Sequence, residues 1–309
     1  MTTKKKQQYR IRDWQQYNKA LVSRGSLTLW VDSRSIDGWL SQDRPARRGR
    51  RRTYSDLTIE CSLLLREVYH LPLRATQGLV RSVLRLLGVK LPTPDYSTLS
   101  RRARLLHLPL SAGASERIKH LVIDSSGLKV YGEGEWKVRV HGADKRRTWR
   151  KLHISMDAAT HHVTAALLTG KDALDRNTLP ALLKQTGAEC ESVCADGAYD
   201  FEQCYLVIKQ HGAKAPIPPR RDAVIRGKSP FEQRDENLRG IRRAGRKAWK
   251  KTSGYHRRSL VECAFFRLKT AFSDRLRARR ADTQAAEAKV RCAALNRMTS
   301  LGMPHNCAV

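Results

Sequence analysis

The sequence predicts an α/β chain: a mixed sheet flanked by helices, preceded by an α-helical module. Three observations carry this. Between about residues 55 and 105 the apolar residues recur at helical spacing, and from about residue 117 short apolar runs rich in β-branched residues alternate with helical stretches. With 309 residues, the chain is also long enough to bury a substantial core. The expected divisions are a basic N-terminal arm over 1–52, a helical module over 53–115, and an α/β domain over 116–309 interrupted by a basic insertion at about 220–254.

The first fifty residues are polar and basic, and "RPARRGRRR" (Arg44 to Arg52) reads as a solvated arm or linker. "YSDLTIECSLLLREVYHL" follows, with Ser55 and Asp56 as cap candidates and Leu57, Cys61, Leu64, Leu65 and Val68 on one helical face. "RATQGLVRSVLRLLG" repeats the pattern through Leu79, Val83, Leu86 and Leu87, with Gly88 where a helix stops. "KLPTPDYSTLSRRARLL" starts a third helix after Asp95 or Ser97 and exposes Arg101, Arg102 and Arg104. Two packed helices followed by a basic one resemble a helix-turn-helix, which makes Arg101 and Arg102 candidate DNA contacts.

Beyond residue 117, "KHLVIDSSGLKVYG" is a buried-strand run ending at Asp124, with Ser125, Ser126 and Gly127 shaping a turn. "RKLHISMDAAT" and "HHVTAALLTG" form a hairpin, "RNTLPALLKQTG" a helix, "ESVCADGAYD" a strand ending at Asp196, "FEQCYLVIKQHG" a helix and "AKAPIPPR" a short strand. A final helix follows. Three strands, helix, strand, helix, strand and helix is the element order of an RNase H-like domain, and alternation of this kind demands a sheet covered by helices.

Sixty Lys and Arg against 29 Asp and Glu give a formal net charge of +31, beyond the magnitude of about 2 to 8 that solubility asks of a small domain. Such a field attracts phosphates, so the expected partner is nucleic acid. In the insertion, "RGIRRAGRKAWKK" sets Trp249 among Arg246, Lys247, Lys250 and Lys251; a solvated charged loop is the plain alternative, but an aromatic among cations favours stacking on a base. Seven cysteines without a CxxC pair fit a reducing compartment, with Cys190 and Cys194 as ordinary buried thiols. No apolar run approaches the roughly 18 residues of a membrane span, so the expectation is a soluble, cytoplasmic protein.

The chemistry concentrates in "GYHRRSLVECAFFRLK", Gly254 to Lys269, where Glu262 is the lone acid among five basic residues. At 100° per residue, Tyr255, Arg258, Glu262 and Lys269 share one stripe, on which Phe266 also falls, and Leu260, Ala264, Leu268 and Ala271 face away to be buried. An i,i+4 ion pair between Arg258 and Glu262 accounts for the pair but not for the pattern. Asp124 and Asp196 each close a strand run; if those strands are neighbours, their carboxylates meet at one sheet edge, where a helix bearing Glu262 completes a set of hard oxygen ligands. Three such ligands can hold two divalent cations for in-line displacement at a phosphodiester. Asp172, Asp175 and Asp200 read as helix-start residues, His153 as a buried, satisfied histidine, and neither His141 nor His256 has ligand spacing to a second histidine.

On these residues the chain resembles the DDE transposases of bacterial insertion sequences, in the group with a Y-(2)-R-(3)-E-(6)-K signature, matched by Tyr255, Arg258, Glu262 and Lys269. The resemblance extends through "YNKALVSRGSLTLWVD", "VIDSSGLKVYGEGEW", "ADGAYD", "IPPRR", Trp249 and "ALNRMTSLGMP", nearly the whole chain. It implies an RNase H-like domain with Asp124, Asp196 and Glu262 as ligands of two Mg²⁺ ions, which Mn²⁺ can replace. It implies double-stranded DNA as partner, as terminal inverted repeats and as target, with Tyr255, Arg258 and Lys269 holding the DNA end. It implies a homodimer or larger assembly on DNA, because two ends must be held together, and a cytoplasmic, nucleoid-associated location. The alternatives are another RNase H-like nuclease, such as a junction resolvase, and an inactive DNA-binding derivative; the first needs no long basic insertion, and the second needs no intact acidic triad.

Overall fold

The computed structural model describes residues 9–42, 52–130, 149–304 and 306–308. The basic run at 44–51, His141 and the part of the first-acid motif beyond Val130 lie outside them.

Residues 9–42, expected as a solvated arm, are folded. After the short strand β1 (Tyr9–Ile11) come the helices α1 (Trp14–Ser23), α2 (Leu27–Trp30) and α3 (Ser33–Asp37). Their anchors are Trp30 and Trp39, both fully buried, whose indole N–H groups donate to the carbonyls of Arg24 (3.1 Å) and Pro92 (2.8 Å). Two large aromatics whose polar edges are satisfied bury enough surface to hold an otherwise polar segment.

α4 (Asp56–Val68) starts where Ser55 accepts the N–H of Thr58, at 3.1 Å. α5 (Leu73–Leu86) buries Val80, Val83 and Leu84 and leaves Leu86 and Leu87 exposed, so its inward stripe is displaced from the expected one. Gly88 follows at φ +68°, a left-handed terminus that suits glycine. α6 (Tyr96–Ala103) is capped by Asp95, whose carboxylate accepts the N–H groups of Ser97 (2.8 Å) and Thr98 (2.9 Å).

β2 (Ile118–Val130) pairs antiparallel with β3 (Trp149–Asp157), which pairs antiparallel with β4 (Val163–Gly170). α7 (Leu179–Thr186) leads into β5 (Cys190–Cys194), which returns parallel to β2, and α8 (Glu202–Gln210) follows. Residues 214–220 make one parallel bridge, Ser192 to Lys214, in place of the expected strand; Pro216, Pro218 and Pro219 have no N–H to donate to a ladder. α9 (Glu232–Thr252) fills the insertion as a helix broken at Gly245 (φ 80°, ψ 151°), and α10 (Ser259–Phe272), β6 (Arg275–Leu276) and α11 (Ala281–Ser300) complete the domain. β6 pairs parallel with the end of β2, giving a five-stranded mixed sheet in the order β4-β3-β2-β5 with β6 beside β2. β7 (Asn306–Ala308) pairs antiparallel with β1.

One face of the sheet, with Leu121 and Ile123, packs on α7 and α8. The other, with Val122 and Leu128, packs on α10 and α11. That second cluster continues through Ile59 and Leu64 of α4, Val83 of α5 and Leu99 of α6 to Trp30 and Trp39, so the N-terminal helices and the sheet share one core. A buried ion network reinforces the junction: the Arg291 guanidinium on α11 donates to Glu67 of α4 (2.9 Å) and to Glu287 (2.5 Å). None of the helices described is long and apolar enough to cross a membrane.

Candidate active site

β2 and β5 bring two of the acidic candidates side by side. Their parallel register ends at Val122 opposite Cys194, and Asp124 and Asp196 each lie two residues further along. Adjacent strands run about 4.8 Å apart, so the two carboxylates belong to one edge of the β2–β5 pair. Asp124 does not end its strand: β2 runs on to Val130, where β3 and β6 still supply partners, and Ser125, Ser126 and Gly127 are strand residues opposite His153, Leu152 and Lys151 rather than a turn. What ends beside Asp124 is β5. Asp196 caps a short 3₁₀ turn, accepting the N–H of Ala198 at 2.9 Å.

Period-two alternation puts Val122, Asp124, Ser126 and Leu128 on the face of β2 turned toward α10, and this brings Glu262 and Lys269 of that helix to the same face. The Arg258 guanidinium connects the elements: Nη1 donates to Asp124 Oδ2 at 2.5 Å, and Nη2 donates to Glu262 Oε1. Lys269 Nζ donates to Ser126 Oγ at 2.6 Å. Burial raises the Asp124 carboxyl above the usual range, opposed by the Ser125 N–H and Arg258, with Asp196 pushing further upward. Burial works against the charge of Arg258, but Asp124, Tyr255, Glu262 and Asp196 together raise its affinity for its proton. Asp196 is therefore electrostatically coupled to both Asp124 and Arg258.

Among the described residues no three His, Cys, Asp or Glu side chains converge closely enough to hold a metal as they stand. The chemistry of the donor set nevertheless fits a hard divalent cation: one aspartate on β2, a second just past the end of the neighbouring β5, one glutamate tied to the first through a shared guanidinium, and no soft ligand among them.

Tyr255 does not lie on the helix. After Gly254, at φ +76°, residues Tyr255–Arg258 form a 3₁₀ turn, and α10 begins at Ser259. The Tyr255 ring packs against Trp249, with centroids 5.9 Å apart, and burial raises its hydroxyl pKa.

Trp249, expected to offer its face to a base, is 5 % exposed and closes over Gly240 and Tyr255. Amphipathic packing decides this: one side of the second half of α9 must be covered, and Trp249 is the large apolar residue there. Lys250 is half-buried, with its ammonium 5.3 Å above the Tyr255 ring, and Arg246 donates to the carbonyl of Pro219 at 2.9 Å. Lys247 and Lys251 face solvent. On α6, Arg101 is exposed, whereas Arg102 turns inward and donates to the carbonyl of Tyr54 (3.0 Å) and to the Asp56 carboxylate, so it holds the start of α4 and leaves no free fork for a phosphate.

Asp200 is not the cap of α8. It is buried and accepts from Arg234 Nε (2.9 Å), Tyr205 Oη (3.0 Å) and the Arg220 N–H (3.0 Å), which ties the insertion to the sheet domain. Behind the acidic edge lies a cluster that sequence reasoning missed. Asp175 stands 3.0 Å from Lys151 Nζ and 3.3 Å from the fully buried His153, whose Nε2 meets Thr169 Oγ1 at 2.9 Å. Burial lowers the His153 pKa to about 4, against the upward pull of Asp175. The buried Tyr199 hydroxyl beside them feels Asp175, Asp196 and Asp124. Alternation on β3 could have placed His153 on this face, but nothing local indicates that Asp175 returns to it. Phe266, an exception on the polar stripe, is 72 % exposed one turn beyond Glu262.

Two family models, both described as "Transposase DDE domain", match the chain, one over residues 22–133 and the other over residues 115–297. The second covers more than half of the chain and spans Asp124, Asp196 and Glu262. With a mixed sheet that sets Asp124 of β2 beside Asp196, just past the end of β5, and a helix whose Glu262 is joined to Asp124 through Arg258, this chain belongs to the DDE transposase family.

Proposed function

We propose that the chain excises and inserts a mobile DNA element by phosphodiester hydrolysis and strand transfer at terminal inverted repeats, with Asp124, Asp196 and Glu262 as the catalytic acids. The observation that carries this is the meeting of three chain segments, 124, 196 and 258–262, at one sheet edge, with the Arg258 guanidinium joining Asp124 to Glu262. The reading adds the Y-(2)-R-(3)-E-(6)-K group as the subfamily, on Tyr255, Arg258, Glu262 and Lys269.

Asp124, Asp196 and Glu262 would hold two Mg²⁺ ions, or Mn²⁺ in their place, and bound there such ions stabilise the attacking and leaving oxygens of an in-line displacement. The remaining chemistry belongs to the side chains. The Arg258 fork matches a phosphate and can hold one bidentately. Lys269, poised by Ser126, is a point charge for a second. Tyr255, packed against Trp249, adds a ring and a hydroxyl close to Arg258. Lys247, Lys251 and Arg101 are exposed and supply sequence-independent phosphate contacts. The helices of 53–115 form the DNA-reading module, double-stranded DNA is the partner, and a dimer or larger assembly holds the two ends.

The test is cleavage of labelled duplex carrying the flanking inverted repeats, with Mg²⁺ present. Glu262→Gln should lower end cleavage by more than about a hundredfold, the upper range for disturbing even an outer-shell partner of a metal site, while DNA binding is kept. Cleavage at the wild-type rate removes Glu262 from the catalytic set.

A further inference from the structure

Arg258 makes two contacts of an unusual kind, because both acceptors are acids that the proposed reaction needs free. A single planar guanidinium spans Asp124 on β2, at 2.5 Å, and Glu262 on α10, and only 19 % of its side chain is exposed. It occupies one oxygen of each carboxylate, Asp124 Oδ2 and Glu262 Oε1, drawn from the hard donors a divalent cation would need. Both contacts are charge-assisted, the stronger class of hydrogen bond, and Arg stays protonated at any working pH. Cations added while the guanidinium stays in place would meet its positive charge at close range, with carboxylate oxygens already engaged.

Resting on the transposase reading above, we propose that Arg258 is a removable bridge, closing the acidic site in the DNA-free protein and opening it when a DNA phosphate takes the guanidinium, so that DNA and metal bind cooperatively. The exchange is chemically matched: a phosphate offers the same two-oxygen face as a carboxylate and brings the negative charge that offsets incoming cations. By linkage, whatever factor DNA adds to metal affinity, metal adds to DNA affinity. The backbone suits such a movement, because Arg258 closes the 3₁₀ turn before α10 and its side chain can leave without unwinding the helix.

The experiment is a Mn²⁺ titration of the full-length protein, followed by the electron paramagnetic resonance signal of free Mn²⁺, with and without a short duplex. No cleavage is needed for this readout. Without DNA, Arg258→Gln should bind Mn²⁺ on the order of tenfold more tightly than wild type, the factor that one broken charge-assisted contact is worth. Arg258→Lys, which keeps the charge but cannot span both carboxylates, should fall between them. Adding the duplex should tighten Mn²⁺ binding in wild type and have much less effect in Arg258→Gln. In the double variant Asp124→Asn/Arg258→Gln the gain should vanish, which places the ions on the acidic edge.

Three results overturn the proposal: equal Mn²⁺ affinity in wild type and Arg258→Gln, with both folded by circular dichroism; an Arg258→Lys variant indistinguishable from wild type, which would make charge rather than bridging the cause; or an equal duplex effect in wild type and Arg258→Gln. The two readings fail separately, since a cleavage-competent Glu262→Gln defeats the catalytic assignment without altering the order of these Mn²⁺ affinities.

Discussion

Arg291→Met should destabilise the whole molecule. Arg291, Glu67 and Glu287 have side chains each 1 % exposed, so removing the guanidinium strands carboxylates in a dry site. Four contacts go with it: Glu67 at 2.9 Å, Glu287 at 2.5 Å and the carbonyls of Arg275 (2.9 Å) and Ser273 (3.3 Å). Partial compensation remains, because Glu67 keeps Arg66 and Arg277, while Glu287 keeps the N–H groups of Arg277 and Ala278. Breaking a buried pair by removing one partner costs about 3 to 5 kcal/mol. Unfolding entropy is about 2.1 cal/mol/K per residue near 60 °C, so a 309-residue chain unfolding as one unit should lose roughly 5 to 8 °C in Tm. Differential scanning calorimetry should show a single transition moved down by that amount, with Glu67→Met/Arg291→Met less destabilised than the two single changes added together. A shift below about 1 °C, or two separate transitions of which only one moves, would refute both the energetic estimate and the shared core. The change should also reach the candidate site, since Arg291 holds the Arg275 carbonyl of β6, and β6 pairs with the strand that carries Asp124.

Two further outcomes concern the insertion and His153. Lys247→Ala and Lys251→Ala should each flatten the log-log salt dependence of DNA binding by about 0.9 if each contacts one phosphate; Trp249→Ala should leave that slope unchanged and cost about 3 to 5 kcal/mol of stability, as a buried tryptophan does. An altered slope in Trp249→Ala with unchanged Tm would return Trp249 to the DNA surface. Because the His153 pKa in the fold is lowered from 6.5 to about 4, the unfolded chain binds the extra proton between those values, so its contribution is present above pH 6.5 and is lost as pH falls toward 4. That window is worth on the order of 3 kcal/mol. Urea melts should therefore show the advantage of wild type over His153→Gln shrinking from pH 7 to pH 4.5; an advantage independent of pH would mean that the fold leaves the His153 pKa where it lies in the unfolded chain.

How far the sequence could be read depended on whether the deciding interaction was local. Asp124 and Asp196 were legible because each closes an apolar run, and the parallel pairing of β2 with β5 required only that the two runs be neighbours. The caps Ser55 and Asp95 were legible for the same reason, since an N-cap is decided within three residues. Trp30 and Trp39 were not, because the local composition is polar, the core that covers Trp30 includes Ile59 and Leu64 of α4, and the acceptor of the Trp39 indole, Pro92, is distant in sequence. Arg102 looked like a groove-facing cation until the carbonyl of Tyr54, 48 residues away, claimed it. Trp249 satisfied both readings locally, and the packing of α9 on the 3₁₀ turn decided between them. The spacing of Tyr255 to Arg258 and Glu262 suits a helix, whereas Gly254 and the 3₁₀ turn place it by a different rotation.

The unbroken apolar packing from Trp30 through α4 and α6 to β2 has a consequence for how this enzyme measures DNA. If α6 and its exposed Arg101 read a stretch of duplex, and if Asp124 belongs to the site that cuts it, the gap between the two is set by interdigitated side chains among the described residues. Such a molecule works as a caliper with locked jaws. One base pair inserted between the bases read and the bond cut should abolish cleavage instead of moving it over by a step.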